Sequence, residues 1–386
     1  MKTKFFILTA IIALSFGGYV TAPLVAGLNL TTANSQLQTT VVIHAKGAIG
    51  TDIQLRAIMD NITYVTWVLV TSELTAADLS GAKMLIMVKN DVYLNYTEAE
   101  LNAIKDWFDE GGKAIWVTGD SDYGLNYGDS DYDLLRQSSA NEVLAKIGSV
   151  LRIEECSIED PVTNAGENYR VYGLSEKCDE EVDFLVGGVN SALFHGPAPI
   201  IAYQDGEYIS IEQEKPVNVY RVMWTSGNAT IANYNPPDPQ VHSVGENGNF
   251  VLMAVEVNYA KKNVVIVTGD APFDHYTGMY EPELYNYERY MTEYPQEGEK
   301  LFKNIIEWVA YYSDKMMSLQ NQVIDLNDQI DDLQGQMTSL QQQVADLTDQ
   351  VTGLQTAVST WQGVSAGAFV IGLVAGVVVI YILKRR

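Results

Sequence analysis

The chain has 386 residues, with 49 Asp and Glu against 24 Lys and Arg, and its net charge is −25 at neutral pH. Such an acidic chain excludes nucleic acid and anionic lipid headgroups as partners, because both carry the same sign of charge. The four histidines lack metal-ligand spacing and therefore indicate no zinc site: His44, His195, His242 and His275.

The amino terminus is typical of a secretory signal. Lys2 and Lys4 precede an apolar run over 5–16, and small residues follow around Ala26. We predict a signal peptide over 1–26, cleaved near Ala26, and a linker over 27–38. An uncleaved anchor is the alternative. Export would make four Asn-X-Thr tripeptides candidate N-glycosylation sites: Asn29, Asn61, Asn95 and Asn228.

Residues 39–312 are predicted to form one α/β head. Strand patterns lie at 40–45, 64–70, 83–89 and 113–118, with a helix pattern at 49–59. A further helix begins at the N-cap Thr97, with Glu100 completing a capping box, and ends at Gly111-Gly112. Repeated strand–helix–strand units predict a mainly parallel sheet flanked by helices, as in flavodoxin-like folds, with a candidate insert over 151–220.

Two strands of the head end in the same motif. KAIWVTGD ends at Asp120 and NVVIVTGD ends at Asp270, and an irregular loop follows each. Ligands bind at the carboxyl edge of open α/β sheets, so we expect a ligand edge there. The alternative is that Thr-Gly-Asp merely ends a strand. The residues of the predicted ligand edge are Asp120, Ser121, Asp122, Asp270, Asp274 and His275.

Three segments of the head resemble the class I glutamine amidotransferase-like superfamily. They are GGKAIWVTGD at 111–120, GNFVLMAVEVNYAKKNVVIVTGDAPF at 248–273 and EKLFKNIIEWVAYY at 299–312. The last pattern is similar to the non-catalytic, extracytoplasmic branch of that superfamily, through Asn304 and the pair Glu307-Trp308. The resemblance covers about 40–312 and implies an amidotransferase-like α/β fold.

Catalytic members of that superfamily carry a Cys nucleophile on the turn after the corresponding strand. Here the turn reads Gly119-Asp120-Ser121-Asp122, so that nucleophile is missing. The alternative is a substitute triad of Ser121, His275 and an acid, but two nearby carboxylates would disfavour an oxyanion. The resemblance therefore implies a head without enzymatic activity.

Acidic residues are concentrated after the first Thr-Gly-Asp. Aspartates at alternating positions suit a hard cation such as Ca²⁺, although Leu134 replaces the glycine of an EF-hand loop. A solvated acidic loop is the alternative, and we predict no other cofactor. The predicted calcium ligands are Asp120, Asp122, Asp129, Asp131 and Asp133.

A tyrosine-rich loop and two cysteines complete the candidate features of the head. The tyrosines would supply contact area for a protein or sugar, or else cover the head's own core. An exported context predicts a disulfide between Cys156 and Cys178, with two buried thiols as the alternative. The predicted contact loop comprises Tyr276, Tyr280, Tyr285, Tyr287, Tyr290 and Tyr294.

A heptad seam runs without a break from Leu319 to Trp361. Leucines hold one position and mainly β-branched residues the other, while the flanking positions are mostly Gln. We predict a coiled-coil stalk over 313–361 that forms a parallel homodimer, with a trimer as the alternative. An amphipathic helix lying on the head is the other alternative.

An uncharged segment over 364–383 follows the stalk and has the length of a membrane span. The basic residues at 384–386 predict a cytoplasmic tail, and the head would then face outward from the plasma membrane. We predict a single-pass surface protein that tethers an envelope layer or binds other proteins. One alternative is an accessory subunit of a membrane transport complex that binds a glycan, peptide or cation. The second is a degenerate hydrolase.

Overall fold

The computed structural model describes residues 39–46, 53–89, 95–122, 132–273, 277–292 and 294–385, and of Lys89 and 132–137 it describes the backbone alone. The predicted signal peptide and linker, with Asn29, lie outside this part of the chain.

Six α-helices occur among the described residues, together with two 3₁₀ segments and a π turn. The helices are α1 Ile53–Asn61, α2 Glu98–Asp109, α3 Tyr132–Lys146, α4 Tyr287–Tyr290, α5 Gly298–Glu307 and α6 Ser313–Lys384. The 3₁₀ segments are Glu180–Val186 and Pro282–Leu284, and the π turn is Trp308–Tyr312.

Fifteen strands build the sheets of the described head. They are β1 Thr39–Lys46, β2 Val65–Val70, β3 Ala82–Lys89, β4 Ala114–Thr118, β5 Leu151–Ile153, β6 Ser157–Glu159, β7 Arg170–Leu174, β8 Ser191–His195, β9 Ile200–Gln204, β10 Glu207–Ile209, β11 Val219–Trp224, β12 Ala229–Ala232, β13 Asn247–Gly248, β14 Val251–Asn258 and β15 Asn263–Thr268.

The main sheet has nine strands in the order β2-β1-β3-β4-β15-β14-β11-β7-β8. The first five strands pair in parallel, and the remaining strands pair antiparallel. The predicted α/β class is confirmed, and the predicted parallel character is shown in part, because β14, β11, β7 and β8 extend the five parallel strands with antiparallel pairs. Of these four strands, β7, β8 and β11 belong to or border the candidate insert at 151–220.

The sheet separates two apolar layers, as alternation along its central strands requires. In β4, Trp116 faces the layer that holds α1 and α5, whereas Ile115 and Val117 face the layer that holds α2 and α3. Strands β1, β3, β4 and β15 are therefore buried on both sides, whereas the edge strand β2 is partly exposed. That explains why these strands read as continuous apolar runs in the sequence.

Helix α2 begins with the predicted capping box. The Thr97 side chain accepts from the Glu100 N–H, and the Glu100 side chain accepts from the Thr97 N–H. The same carboxylate, only 1% exposed, accepts from Lys46 Nζ at 2.6 Å and from the Leu74 N–H at 3.1 Å. Glu100 thus joins the end of β1, the segment after β2 and the start of α2.

We expect Glu100→Ala to destabilise the head by about 3–5 kcal/mol, because it leaves the Lys46 ammonium buried without its counter-charge. Glu98→Ala on the same helix is the matched control. Glu98 is exposed and pairs with Lys146 at the surface, so we expect its loss to destabilise the head far less than the loss of Glu100 does. Urea unfolding of the full-length protein in detergent measures both. Equal losses would contradict the role of Glu100.

Candidate functional site

The two Thr-Gly-Asp motifs lie side by side at one edge of the sheet. Strands β4 and β15 pair in parallel with Thr118 opposite Thr268, and the Gly119 N–H donates to the Thr268 carbonyl at 2.9 Å. The indole Nε1 of Trp116 also donates to the Thr268 hydroxyl at 2.9 Å. Asp120 and Asp270 therefore follow neighbouring strands, as the two sequence motifs predict.

Residues 195–199, which we call the cap, cross this edge. The Ser121 N–H donates to the Gly196 carbonyl at 2.9 Å, and the Ala198 N–H donates to the Gly269 carbonyl at 3.1 Å. A side chain at Gly269 would lie 1.9 Å from the Ala198 carbonyl oxygen, so glycine is required for this close approach. The cap connects β8 to β9, and nothing in its sequence indicates where it packs.

The aspartates of the predicted ligand edge accept backbone hydrogen bonds and are buried. Asp270 accepts from the N–H groups of His195 at 2.7 Å and Ala271 at 2.8 Å. Asp120 accepts from the Ser121 N–H at 2.8 Å. The hydrogen bond from His195 to Asp270 anchors the cap to the sheet.

Asp122 anchors a second segment. Its carboxylate accepts from the Ser157 hydroxyl at 2.5 Å and from the N–H groups of Tyr234 at 2.7 Å and Asn235 at 2.9 Å. Burial raises the pKa of Asp122, and these hydrogen bonds act in the opposite direction. Both oxygens of this predicted calcium ligand are thus already hydrogen-bonded within the protein.

Other members of the predicted edge and calcium site lie outside the described residues. These are Asp129, Asp131, the side chain of Asp133, Asp274 and His275. Within the part of the chain that the structure describes, no group of three or more His, Cys, Asp and Glu side chains could hold a metal ion. The calcium site remains a prediction.

The tyrosines of the predicted contact loop separate into two sets. Tyr280 and Tyr290 are fully buried, so the prediction is wrong for them: they belong to the head's own packing. Tyr285 and Tyr287 are 48% and 65% exposed, and Tyr294 is half-buried. Tyr276 lies outside the described residues. A contact role therefore remains for Tyr285 and Tyr287.

The predicted disulfide is not present, since Cys156 and Cys178 are both thiols. Cys156 is buried beside the carboxylates of Glu154 and Asp122, whereas Cys178 Sγ lies 3.6 Å from the Asp179 carbonyl oxygen. The two sulfurs therefore have different surroundings. Burial raises the pKa of both thiols, that of Cys178 to about 12, so neither has the thiolate character of a nucleophile at neutral pH.

The three described sequons all present an exposed asparagine: Asn61, Asn95 and Asn228. Asn61 Nδ2 donates to the Tyr280 hydroxyl at 3.4 Å, and Asn95 Oδ1 accepts from the Ser139 hydroxyl at 3.1 Å. Glycosylation at these positions remains a prediction.

A buried charged cluster beneath the cap was missed by sequence reasoning. His242 Nδ1 lies 2.5 Å from Glu154 Oε2, and His242 Nε2 lies 3.6 Å from Glu212 Oε2. The Glu154 N–H donates to the Pro199 carbonyl of the cap at 3.0 Å. Burial disfavours the charged ring, but hydrogen bonds to the two carboxylates outweigh it and raise the pKa of His242 to about 10. Glu154, Glu212 and His242 are too far apart in the sequence for a motif to indicate that they form a cluster.

The comparisons with known proteins concern the fold alone. No protein-family profile and no curated protein sequence matches the chain. Three solved structures are similar: the mmIFT52 N-terminal domain, a ThuA-like protein from Bacteroides uniformis and a GMP synthase subunit from Thermoplasma acidophilum. Their identities are 13%, 13% and 12%, and their TM-scores are 0.43, 0.40 and 0.35. The matches cover 71%, 73% and 73% of this chain and 98%, 95% and 98% of those chains.

We expect His242→Gln to destabilise the head most below about pH 6.5, where the histidine is charged in both the folded and the unfolded chain. Because folding raises the pKa to about 10, the folded state holds its proton more tightly, and that stabilisation is lost as the pH rises through 10. The measurement is the difference in urea unfolding free energy between the two proteins at pH 6.5 and pH 10. A difference that does not shrink would contradict the charged cluster.

Proposed function

We propose that the protein is a membrane-anchored surface protein that presents a non-catalytic α/β head on a self-associating stalk. Its role would be to tether an envelope layer or to bind other proteins. The observation that carries this proposal is the helical path at the carboxyl end. From Gly298 to Lys384 the chain is helical, from the core of the head to an apolar segment long enough to cross a membrane.

The head is attached firmly to this helix. Helix α5 buries Leu301, Phe302 and Ile305 against the sheet, and the π turn at 308–312 continues directly into α6. The first turns of α6 keep contact with the head: Met317 is buried, and Asp314 pairs with Lys83 at 2.7 Å. Asn321 Nδ2 then donates to the Tyr259 carbonyl at 2.7 Å. Such an attachment transmits the direction of the stalk to the head.

Beyond the head, α6 carries an unpartnered apolar stripe. The thirteen seam residues from Leu319 to Trp361 are 48–73% exposed. We propose a second copy of the chain as the occupant, because the heptad repeat is self-complementary. The acidic residues of the stalk support this, since none lies at a seam position (a or d of the heptad) or at the flanking positions e and g. Asp325, Asp328, Asp331, Asp332, Asp346 and Asp349 all fall at outer heptad positions.

The apolar segment at 364–383 supports the anchoring role. It is about 20 residues long and therefore matches a hydrocarbon core of about 30 Å. Lys384 and Arg385 follow it, whereas the acidic head precedes it. The positive-inside rule then favours an outward-facing head.

An accessory subunit of a membrane transport complex is the second candidate. The exposed tyrosines Tyr285 and Tyr287 favour it, because aromatic side chains of this kind supply contact area for a ligand. Loss of binding to a transport complex on changing these two tyrosines would support this candidate over tethering.

We expect the double change Leu333→Asp and Leu340→Asp to abolish self-association, because two charges would enter the buried seam. Gln342→Asp is the matched control, since position 342 lies on the outer face of the same helix. Size-exclusion chromatography with multi-angle light scattering, on full-length protein in detergent, measures the mass. A wild-type monomer, or an unchanged mass in the double variant, would contradict the seam.

We expect protease added to intact cells to digest the head, and the full-length protein to sediment with membranes. A variant truncated after residue 361 keeps the stalk and should leave the membrane fraction if its signal is cleaved. Immunoblotting against a tag placed in the head follows both results. A head that resists protease until the cells are lysed would contradict the proposed orientation.

A further inference from the structure

One face of α6 is occupied by the head. Ser313 and Met317 are buried, and Asn321 Nδ2 donates to the Tyr259 carbonyl at 2.7 Å. Ser313, Met317 and Asn321 follow one another at four-residue steps and therefore share one side of the helix. Met317 belongs to the same apolar layer as Phe302 of α5. We call this row of three residues the head face of α6.

The first seam residues lie on the opposite face of the helix at the same height. Leu319 is two residues from both Met317 and Asn321, and two residues turn an α-helix by about 200°. Val323 stands in the same relation to Asn321. Because α6 is one continuous helix, this phase is kept along the whole seam.

The top of the seam is nearly as exposed as the part that lies far below the head. Leu319 is 48% exposed and Val323 is 55% exposed, close to the 59% of Leu340 and the 62% of Val344. The described residues of the head therefore leave this part of the seam uncovered. The exposed stripe begins beside the head, and it belongs to the same heptad repeat as the rest of the stalk.

The amino edge of the sheet attaches the head to this helix. The Thr39 hydroxyl, at the start of β1, donates to the Ala310 carbonyl at 3.3 Å, and Lys83, near the start of β3, pairs with Asp314. Tyr259 follows the end of β14, which is antiparallel to β15 and so ends at the same edge. The stalk therefore leaves from the amino edge, while the cap and the two Thr-Gly-Asp motifs lie at the other end of the strands.

We propose that a second copy of the chain packs against α6 from Leu319 onward, directly beside the head, and that the heads lie on the outside of the resulting coil. Each carboxyl edge would then face away from the membrane. This arrangement rests on the self-association proposed above, and it adds the start of the coil and the side on which each head lies. The occupant is a second α6, because the uncovered top of the seam continues a self-complementary repeat.

The charge of the protein favours heads on the outside of the coil. Each copy carries a net charge of −25, so two heads on the same side of the stalk would repel each other. Two helices of about 10 Å each would place roughly 20 Å of coil between heads on opposite sides. That separation exceeds the Debye length of about 8 Å at physiological ionic strength, so the repulsion is largely screened.

Disulfide cross-linking of the full-length protein in detergent tests where the coil begins. Cys178→Ser provides the background, because Cys178 is the native thiol that is not fully buried. We expect Leu319→Cys, beside the head, and Leu340→Cys, far below it, to give dimer bands of equal strength on oxidation, since in-register seam positions come within disulfide reach. Ser318→Cys, on the same turn as Leu319 but outside the seam, is the matched control and should stay at background.

The three variants separate this arrangement from the self-association on which it rests. A dimer band from Leu340→Cys without one from Leu319→Cys would overturn the arrangement and leave the seam intact. No band from either variant would overturn self-association and the arrangement together. Equal bands from Ser318→Cys and Leu319→Cys would show collision without a preferred face, and would also overturn the arrangement.

Insertions after Asn321 test the side on which the head lies. Seven inserted alanines keep the heptad phase and should preserve the Leu319→Cys band. Two inserted alanines turn the head and Leu319 by about 200° relative to the seam below, and should remove the band. A Leu319→Cys band that survives both insertions would contradict a fixed side for the head.

Discussion

The packing of Phe302 is the interaction on which the rest of the described structure depends. This fully buried ring of α5 meets Trp116 of β4 at 5.4 Å, Tyr280 at 5.5 Å, Phe273 at 6.1 Å and Trp67 of β2 at 6.4 Å. A single side chain thus joins the sheet, the segment after β15 and the last helix of the head. Since α5 continues through the π turn into α6, the same contact also sets the direction in which the stalk leaves the head.

Ligands commonly bind at the carboxyl edge of open α/β sheets, but in this head the described aspartates at that edge have a structural role. Its buried aspartates hold the cap and the segment at 234–235 through backbone N–H groups. Burial without partners would be costly for a carboxylate, so these hydrogen bonds account for the acids at the described edge.

The stalk and the head differ in how their apolar side chains are buried. The head buries its apolar side chains in two layers of its own, whereas the seam of α6 leaves thirteen large apolar side chains facing solvent. Exposed stripes of that length are rare on isolated soluble chains, because burying each such side chain is worth about 1.5–3 kcal/mol. Self-association would bury the seam of α6 at 319–361, and membrane insertion would bury its apolar segment at 364–383.

The sequence by itself determined the local elements. The capping box at Thr97, the apolar strands β1, β3, β4 and β15, and the long helix α6 all follow from periodicity and short-range chemistry. The neighbouring positions of Asp120 and Asp270 also followed, because parallel strands end at a common edge.

Only the tertiary structure decided what covers that edge and which charges meet. Asp122 holds an N–H group 113 positions away and Glu154 meets His242 88 positions away, and such contacts arise from the path of the whole chain. The antiparallel pairing of β7, β8 and β11 is equally non-local, since a strand's own residues do not specify the direction of its neighbour.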